Sequence, residues 1–587
     1  MRLLELLLHK ERYIMNRLGP TPLDKRWIWT AFAGFILFLF IQVFPITGQL
    51  FSMNTEQVMT RSEAENKALD LAVSRFGIQQ GEVVKTTVTH LSDSETTGYL
   101  SKHDLFDAYE KQWSKHTPTD VYAVEIRLES GNPSGKLLLY LNMETGDLVA
   151  WEHDGNRVVP SMDQTQGLSD VKLAAYALQY ASFWGVQPDE WKWDGYSAEK
   201  GIVKFSSSGA GIGESKLWLK IAVPEGFDVL VSSFPPWQGG SVTYGVDLPE
   251  AFTSYLHDQE KWSTRLSVFG FILPQILLFL LAIIYTGTHG GHSSYRRGIF
   301  LSVLFFVLYA GLTYNMIPGL RAGTWEAGVG SADKINLIVS LVTYAAMALL
   351  TYFSAVGGDG LWKSMGRSLW PRWRESGYGN AVLRSMREGY FLAFILLGAQ
   401  SFILLVLEKS LGSFSSSDAT QSMYNMSIPW LLPLLAWCAG ISEELQSRLF
   451  GIGLFRKWFV GGARKLLGRE PSSRTAILLT TVAIIPPGLL WALGHVGYAI
   501  YPVYTRIIEL VIMSFLFGWF MLRFGIITVI FAHVTLDAIL MGMQMMFDGL
   551  PGDFIGGVFS LLMPGLVGIV IWWLHGVIRG KEASPNQ

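Results

Sequence analysis

The chain has 587 residues, half of them hydrophobic and only 16% charged, whereas soluble domains carry about 25% charged residues. That balance excludes a disordered chain, a collagen-like fibre and a disulfide-stapled secreted module. With 46 basic and 48 acidic residues the net charge is −2, which argues against nucleic acid as a partner, and the single cysteine, Cys438, excludes an intramolecular disulfide or a cysteine-based metal cluster.

Residues 1–26 are basic (Lys10, Arg12, Arg17, Lys25, Arg26) and lead into an apolar run at 27–47. This run is too long for the core of a signal sequence and no small-x-small cleavage pattern follows it, so it reads as an uncleaved anchor. Residues 50–260 read as a folded α+β region. Ser62-x-x-Glu65 suggests a capping box opening a helix at about 62–76, with Gly77 as its stop. Strand-like runs follow at Val121–Leu128, Lys136–Asn142 and Leu148–Glu152. A second helix from Asp170 to Trp184, ending at Gly185, precedes runs at Ile202–Ser206, Lys216–Val223 and Phe227–Ser232. Two helix-then-strands units suggest a degenerate tandem repeat. The pattern resembles small PepSY-like α+β modules, which more often bind or inhibit than catalyse. The glycine run Gly209–Gly213 lacks the Lys-Ser/Thr ending of a phosphate loop and reads as a hairpin tip.

Beyond residue 260 the chain is dominated by apolar runs near 264–286, 297–315, 335–356, 388–408, 428–454, 475–498, 503–522, 526–545 and 557–578. A bilayer core needs about 20 apolar residues per helix. The expected fold is therefore a polytopic α-helical membrane protein of about ten transmembrane helices, with an α+β extracytoplasmic insert between the first and second. Three spans fall in 264–356. Arg and Lys gather at 287–297, 357–387 and 455–474 and at Arg579 and Lys581, whereas Ser410–Ser427 and Asp548–Asp553 are free of positive charge. The positive-inside rule then places both termini in the cytoplasm of a multi-pass cell-membrane protein, expected to be bacterial, with residues 50–260 outside.

Ionisable groups inside spans cost about 2.5–3.5 kcal/mol each near the helix centre on insertion scales. The 428–454 run holds Glu443, Glu444 and Arg448; the next holds Trp491 and His495; the 526–545 run holds His533 and Asp537. Glu444 and Arg448 stand four residues apart with the acid first, the favourable order for a helical ion pair. Glu443 points to another face and has no partner on its own helix. His533 and Asp537 share a face by the same spacing. A cluster of Glu443, His495, His533 and Asp537 would satisfy these groups mutually; polar helix-packing contacts are the plainer alternative. Glu509, with Arg506 three residues before it, reads as structural and near the interface, His575 as interfacial, and Cys438 as a packed core thiol.

The ordered set Glu443-Glu444-x-x-x-Arg448, Trp491-x-x-x-His495 and His533-x-x-x-Asp537, with Leu522-Arg523-Phe524-Gly525 before the third, resembles the CPBP family. These are the CAAX-protease and bacteriocin-processing intramembrane endopeptidases. The resemblance covers residues 385–580. Two positions depart from its commonest form: Trp491 stands where Phe is usual, and Asp537 where Asn is frequent. An ionised Asp cannot donate a hydrogen bond to an oxyanion, so Asp537 is either protonated or orients His533.

The resemblance implies an endopeptidase acting on a peptide or membrane-protein substrate. In it Glu443 is the general base sharing a water with His495, and His533 backed by Asp537 stabilises the oxyanion. Glu444, Arg448 and Trp491 support them, and the site opens towards the cytoplasm. No cofactor is expected on this reading. A zinc version would use His495, His533 and Glu443 as ligands, though no His-Glu-x-x-His pattern is present. Competing readings are a non-catalytic receptor or bacteriocin-immunity-type protein, whose outside region binds a ligand or regulator, and a transporter relaying protons. Matched repeats of spans, frequent in transporters, are not evident. Straight depth counting places His495 nearer the outer face than Glu443, and a helix break at Pro486-Pro487 is the expected remedy.

Overall fold

The computed structural model describes residues 23–44, 57–114, 117–129, 135–153, 170–197, 202–222, 240–325 and 332–582. The basic residues Lys10, Arg12 and Arg17 and the predicted strand Phe227–Ser232 lie outside the described residues. Among the described residues, nine helices are long and apolar enough to cross a membrane by length and composition. The tenth expected run, at 428–454, is also helical, but it carries Glu443, Glu444 and Arg448 midway and widens there, so it falls outside that set. The first helix, α1 (Lys25–Phe38), is capped by Asp24 and runs on through one wide π turn, Leu39–Val43. Its Gly34 faces Gly398 so closely that a Cβ on either would overlap the other backbone. Small residues at a crossing are how membrane helices gain contact without a hydrophobic driving force.

The α+β region begins with α2 (Arg61–Phe76). Its capping box is Thr60 with Glu63, two residues ahead of the expected Ser62–Glu65 pair, because extended backbone at Thr60 sets its hydroxyl against the Glu63 N–H. It ends at Gly77, whose φ of 65° suits glycine. There follow β1 (Val83–Ser92), α3 (Ser94–His103), α4 (Phe106–Gln112), β2 (Asp120–Leu128), β3 (Lys136–Asn142) and β4 (Leu148–His153). The second half comprises α5 (Asp170–Ser182), β5 (Trp191–Ser197), β6 (Ile202–Ser207), β7 (Lys216–Ala222) and β8 (Gly240–Asp247). All eight strands form one antiparallel sheet in the order β1-β2-β3-β4-β8-β7-β6-β5, so two four-stranded meanders meet where β4 pairs with β8. Alternate residues such as Tyr122, Val124 and Ile126 on β2 and Leu137, Leu139 and Leu141 on β3 join residues of α2 and α5 in one core.

From the sheet, α6 (Glu250–Arg265) continues through a π segment, Leu266–Ile272, into α7 (Leu273–His289) without a loop. Next come α8 (Tyr295–Asn315), α9 (Ala332–Ser364) and α10 (Tyr378–Leu411). At the end away from the α+β region, buried Asp359 takes Arg297 at 2.7 Å and Lys363 at 2.8 Å, an ionic knot tying α8 to α9. The loop after α10 carries β9 (Phe414–Ser415) and then Asn425, whose side chain pairs with both the N–H and the C=O of His90, each at 2.8 Å. It thereby extends the edge of β1. The remaining elements are α11 (Leu434–Glu443), a π segment Glu444–Ile452, α12 (Gly453–Leu467), α13 (Ser473–Val482), α14 (Ile485–Leu493), β10 (Ile500–Tyr501), α15 (Val503–Phe524), α16 (Ile526–Met546) and α17 (Asp553–Glu582). β10 pairs with β9. Glu509 is fully buried on α15, held by Arg506 at 2.7 Å and Gln400 at 2.8 Å. His575 is buried too, 3.1 Å from the Trp373 carbonyl.

Candidate active site

Three helices carry the charged motifs, and each is brought in by a local device. α11 approaches α16 at Gly440, where a Cβ would come within 2.6 Å of Val534 Cγ2. This close crossing sets Glu443 and Glu444 level with His533. Past Glu443 the helix widens into its π segment, an irregularity that recurs at functional sites. The span at 475–498 breaks at Ala483-Ile484, just ahead of Pro486-Pro487, giving α13 and α14. Proline cannot continue the helical ladder, and the Pro487 carbonyl accepts from Ser447 Oγ at 3.1 Å on the π segment. The bend therefore docks α14 against the glutamate helix.

The structure gathers all seven motif residues. Glu443 is half-buried; its Oε1 lies 3.8 Å from His495 Nε2 and its Oε2 4.0 Å from His533 Nε2. Both imidazoles thus turn the same ring nitrogen to one carboxylate. The other nitrogens are engaged. His495 Nδ1 is 2.7 Å from the Trp491 carbonyl, which can only accept, so that nitrogen carries the hydrogen. His533 Nδ1 is 2.8 Å from Glu444 Oε1. Asp537 Oδ2 lies 3.4 Å from His533 Nε2. The Glu444–Arg448 pair forms at 3.2 Å with both side chains fully buried. The guanidinium stacks 4.2 Å from the Trp491 ring centroid and 4.9 Å from that of Phe517. Arg448 otherwise lacks hydrogen-bond partners among the described residues, so its charge is met by one carboxylate and two aromatic faces.

Two contacts escape a reading of the motifs alone. The Trp491 indole N–H donates to Glu443 Oε2, a bond that the usual phenylalanine cannot make. Trp is the donor-bearing aromatic of the pair, and that difference was the available signal. Tyr498 stacks parallel on His495, ring centroids 5.8 Å apart, from the loop beyond α14; nothing in the motif spacing marks it.

The zinc alternative requires His495, His533 and Glu443 to converge on an ion. Among the described residues, no three His, Cys, Asp or Glu side chains are grouped to hold a metal.

Among curated proteins and solved structures nothing matches the chain. Residues 425–539, which contain every one of the seven motif residues, match the family model described as Type II CAAX prenyl endopeptidase Rce1-like, and the chain thus carries an Rce1-like domain of the CAAX-protease family.

Proposed function

We propose that the chain is an intramembrane endopeptidase of the glutamate type, hydrolysing a peptide bond in a membrane-associated polypeptide. The observation that carries this is the pair of imidazole Nε2 atoms facing the two oxygens of the Glu443 carboxylate at 3.8 and 4.0 Å. Those separations exceed a direct hydrogen bond, and a water lodged beside them donates to Glu443 and to His495 Nε2.

Glu443 is the general base. It takes a proton as the water oxygen attacks the scissile carbonyl carbon. The tetrahedral oxyanion needs a donor, and protonated His533 offers its Nε2–H, held in place by Glu444 on Nδ1. Asp537, beside that nitrogen, orients His533 rather than donating to the substrate. When the C–N bond breaks, the proton held by Glu443 passes to the leaving amine, and atoms and charge balance. Trp491 fixes the Glu443 carboxylate from the side away from the water. Arg448 holds the Glu444 carboxylate in place.

The positive-inside assignment supports a multi-pass cell-membrane protein with cytoplasmic termini and the α+β region outside. The test compares membrane-peptide termini in cells carrying the wild type and Glu443→Gln at matched protein levels. Removal of the base lowers turnover by roughly 10²–10⁴-fold, so termini made by the enzyme disappear in the variant. Identical termini in both would refute the proposal.

A further inference from the structure

The site forms a polar column with one closed and one open end. At its floor Glu444 and Arg448 have 0% side-chain exposure, and His533 has 6%. Beside them Asp537 reaches 20%, His495 19% and Glu443 24%, and Tyr498 at the rim reaches 44%. Beneath Arg448 the column is plugged by Leu449, Phe450, Ile452 and Leu454, all buried.

The chain direction of three helices states which end is which. α16 runs towards the α+β region, since the loop after it accepts from Tyr424 Oη at Asp548 O and from Val58 N at Gly549 O. Asp537 is therefore nearer that region than His533. α11 starts from the loop in which Asn425 grips His90, so Glu443 is nearer than Arg448. His495 lies two residues past the end of α14 and five before β10, which pairs with β9 against Phe252 and the α3 residue Tyr99. The three partly exposed residues Glu443, His495 and Asp537 each lie on the α+β side of a buried neighbour, Arg448, Trp491 and His533 respectively.

The rim is irregular backbone. Residues 494–499 leave the helix, with Gly494, Gly497 and Tyr498 exposed. Irregular backbone is not left facing hydrocarbon, because its N–H and C=O groups would go unsatisfied; this rim borders water or headgroups. The exit helix of the α+β region holds it at both ends. On α6, Ser263 Oγ donates to the Val496 carbonyl at 2.7 Å, and Gln259 Oε1 accepts from Val503 N at 2.9 Å.

We propose that the active site opens on the same side of the membrane as the α+β region, opposite to the cytoplasmic opening that the family resemblance implies. Resting on the protease reading above, the substrate class is a membrane-anchored polypeptide whose scissile bond lies in the stretch at that face. Tails presented on the side of the basic loops at 357–387 and 455–474 are excluded.

The full-length chain supplies its own test, because Cys438 is its single cysteine. In a Cys438→Ala background, Tyr498→Cys and Glu443→Cys are treated with a small charged, membrane-impermeant thiosulfonate, in intact cells and in sealed inside-out vesicles. Asp189→Cys, exposed in the α+β region, and Lys465→Cys, exposed in the 455–474 loop, mark the two sides. Labelling of Tyr498→Cys and Glu443→Cys in the preparation that labels Asp189→Cys is the expected result. Labelling in the preparation that labels Lys465→Cys, or in neither while both markers react, would overturn the proposal. Tyr498→Cys, at an exposed rim, still reports if Glu443→Cys fails to fold. The readout is chemical access and not cleavage, so it stands or falls apart from the Glu443→Gln comparison.

Discussion

Glu443 is held by a donor that the commonest form of its motif lacks. The Trp491 indole N–H fixes Oε2 and leaves Oε1 towards His495. A hydrogen bond to a charged group contributes about 1.5–3 kcal/mol, and 1.4 kcal/mol is about a factor of ten in rate. Trp491→Phe keeps a ring against Arg448 and Phe517 and removes the donor. The expected outcome is a fall in kcat of roughly ten- to a hundredfold with KM unchanged, since the lost bond touches the base and not the substrate. Steady-state kinetics on a fluorogenic peptide derived from the mapped cleavage site checks this; a raised KM at constant kcat would assign Trp491 to substrate binding. Arg448 poses a different question, because full burial makes its charge dependent on Glu444. Breaking a buried pair by removing one partner costs about 3–5 kcal/mol, through the charge left behind. Arg448→Met should therefore lower the Tm of the purified protein sharply, and Glu444→Gln added to it should recover part of the loss. A double variant no more stable than the single one would show that stacking on Trp491 and Phe517, not charge, is what Arg448 supplies.

At the level of elements, the loop between α16 and α17 joins the membrane helices to the α+β region. Val58 N bonds Gly549 O and Tyr424 Oη bonds Asp548 O, at 3.2 and 2.6 Å. Burial pushes the Asp548 carboxyl up to about 7, and the Asp553 carboxylate beside it acts in the same direction. A carboxyl with a raised folded-state pKa binds its proton more tightly folded than unfolded. Its contribution to stability is full below the unfolded value of 3.8 and is lost as pH rises to about 7. The wild-type Tm should therefore fall between about pH 4 and pH 7 by more than that of Asp548→Asn, in which Asp553 alone of the pair still titrates. Parallel Tm–pH curves for the two proteins would remove Asp548 from this role. The junction also explains why the burial of His90 on β1 was not legible: it meets Asn425, 335 positions along the chain, and Tyr424 beside it, and no local alternation records that.

For the whole molecule, the separation of chemistry from metal is open to direct trial. The glutamate mechanism predicts that turnover survives exhaustive treatment with EDTA and 1,10-phenanthroline. Loss of activity that zinc restores would replace it with a metal-dependent one. The chain by itself determined what depends on composition and short spacing. Apolar runs of about 20 residues announce membrane helices because hydropathy is a local property. Glu444–Arg448 and His533–Asp537 were readable as pairs because helical periodicity alone sets residues four apart on one face. The order of the three motifs sufficed to name the family of residues 425–539. Tertiary structure alone decided the rest. The bend before Pro486-Pro487 brings His495 to 3.8 Å from a glutamate 52 positions earlier, and the Gly440 crossing seats His533 on Glu444. The joining of two meanders through β4 and β8, and the partial exposure of Glu443, His495 and Asp537 beside a fully buried Glu444–Arg448 pair, likewise arise from packing between distant segments. Those contacts are fixed by shape complementarity and by the need to pair buried polar groups, neither of which leaves a periodic mark on the chain.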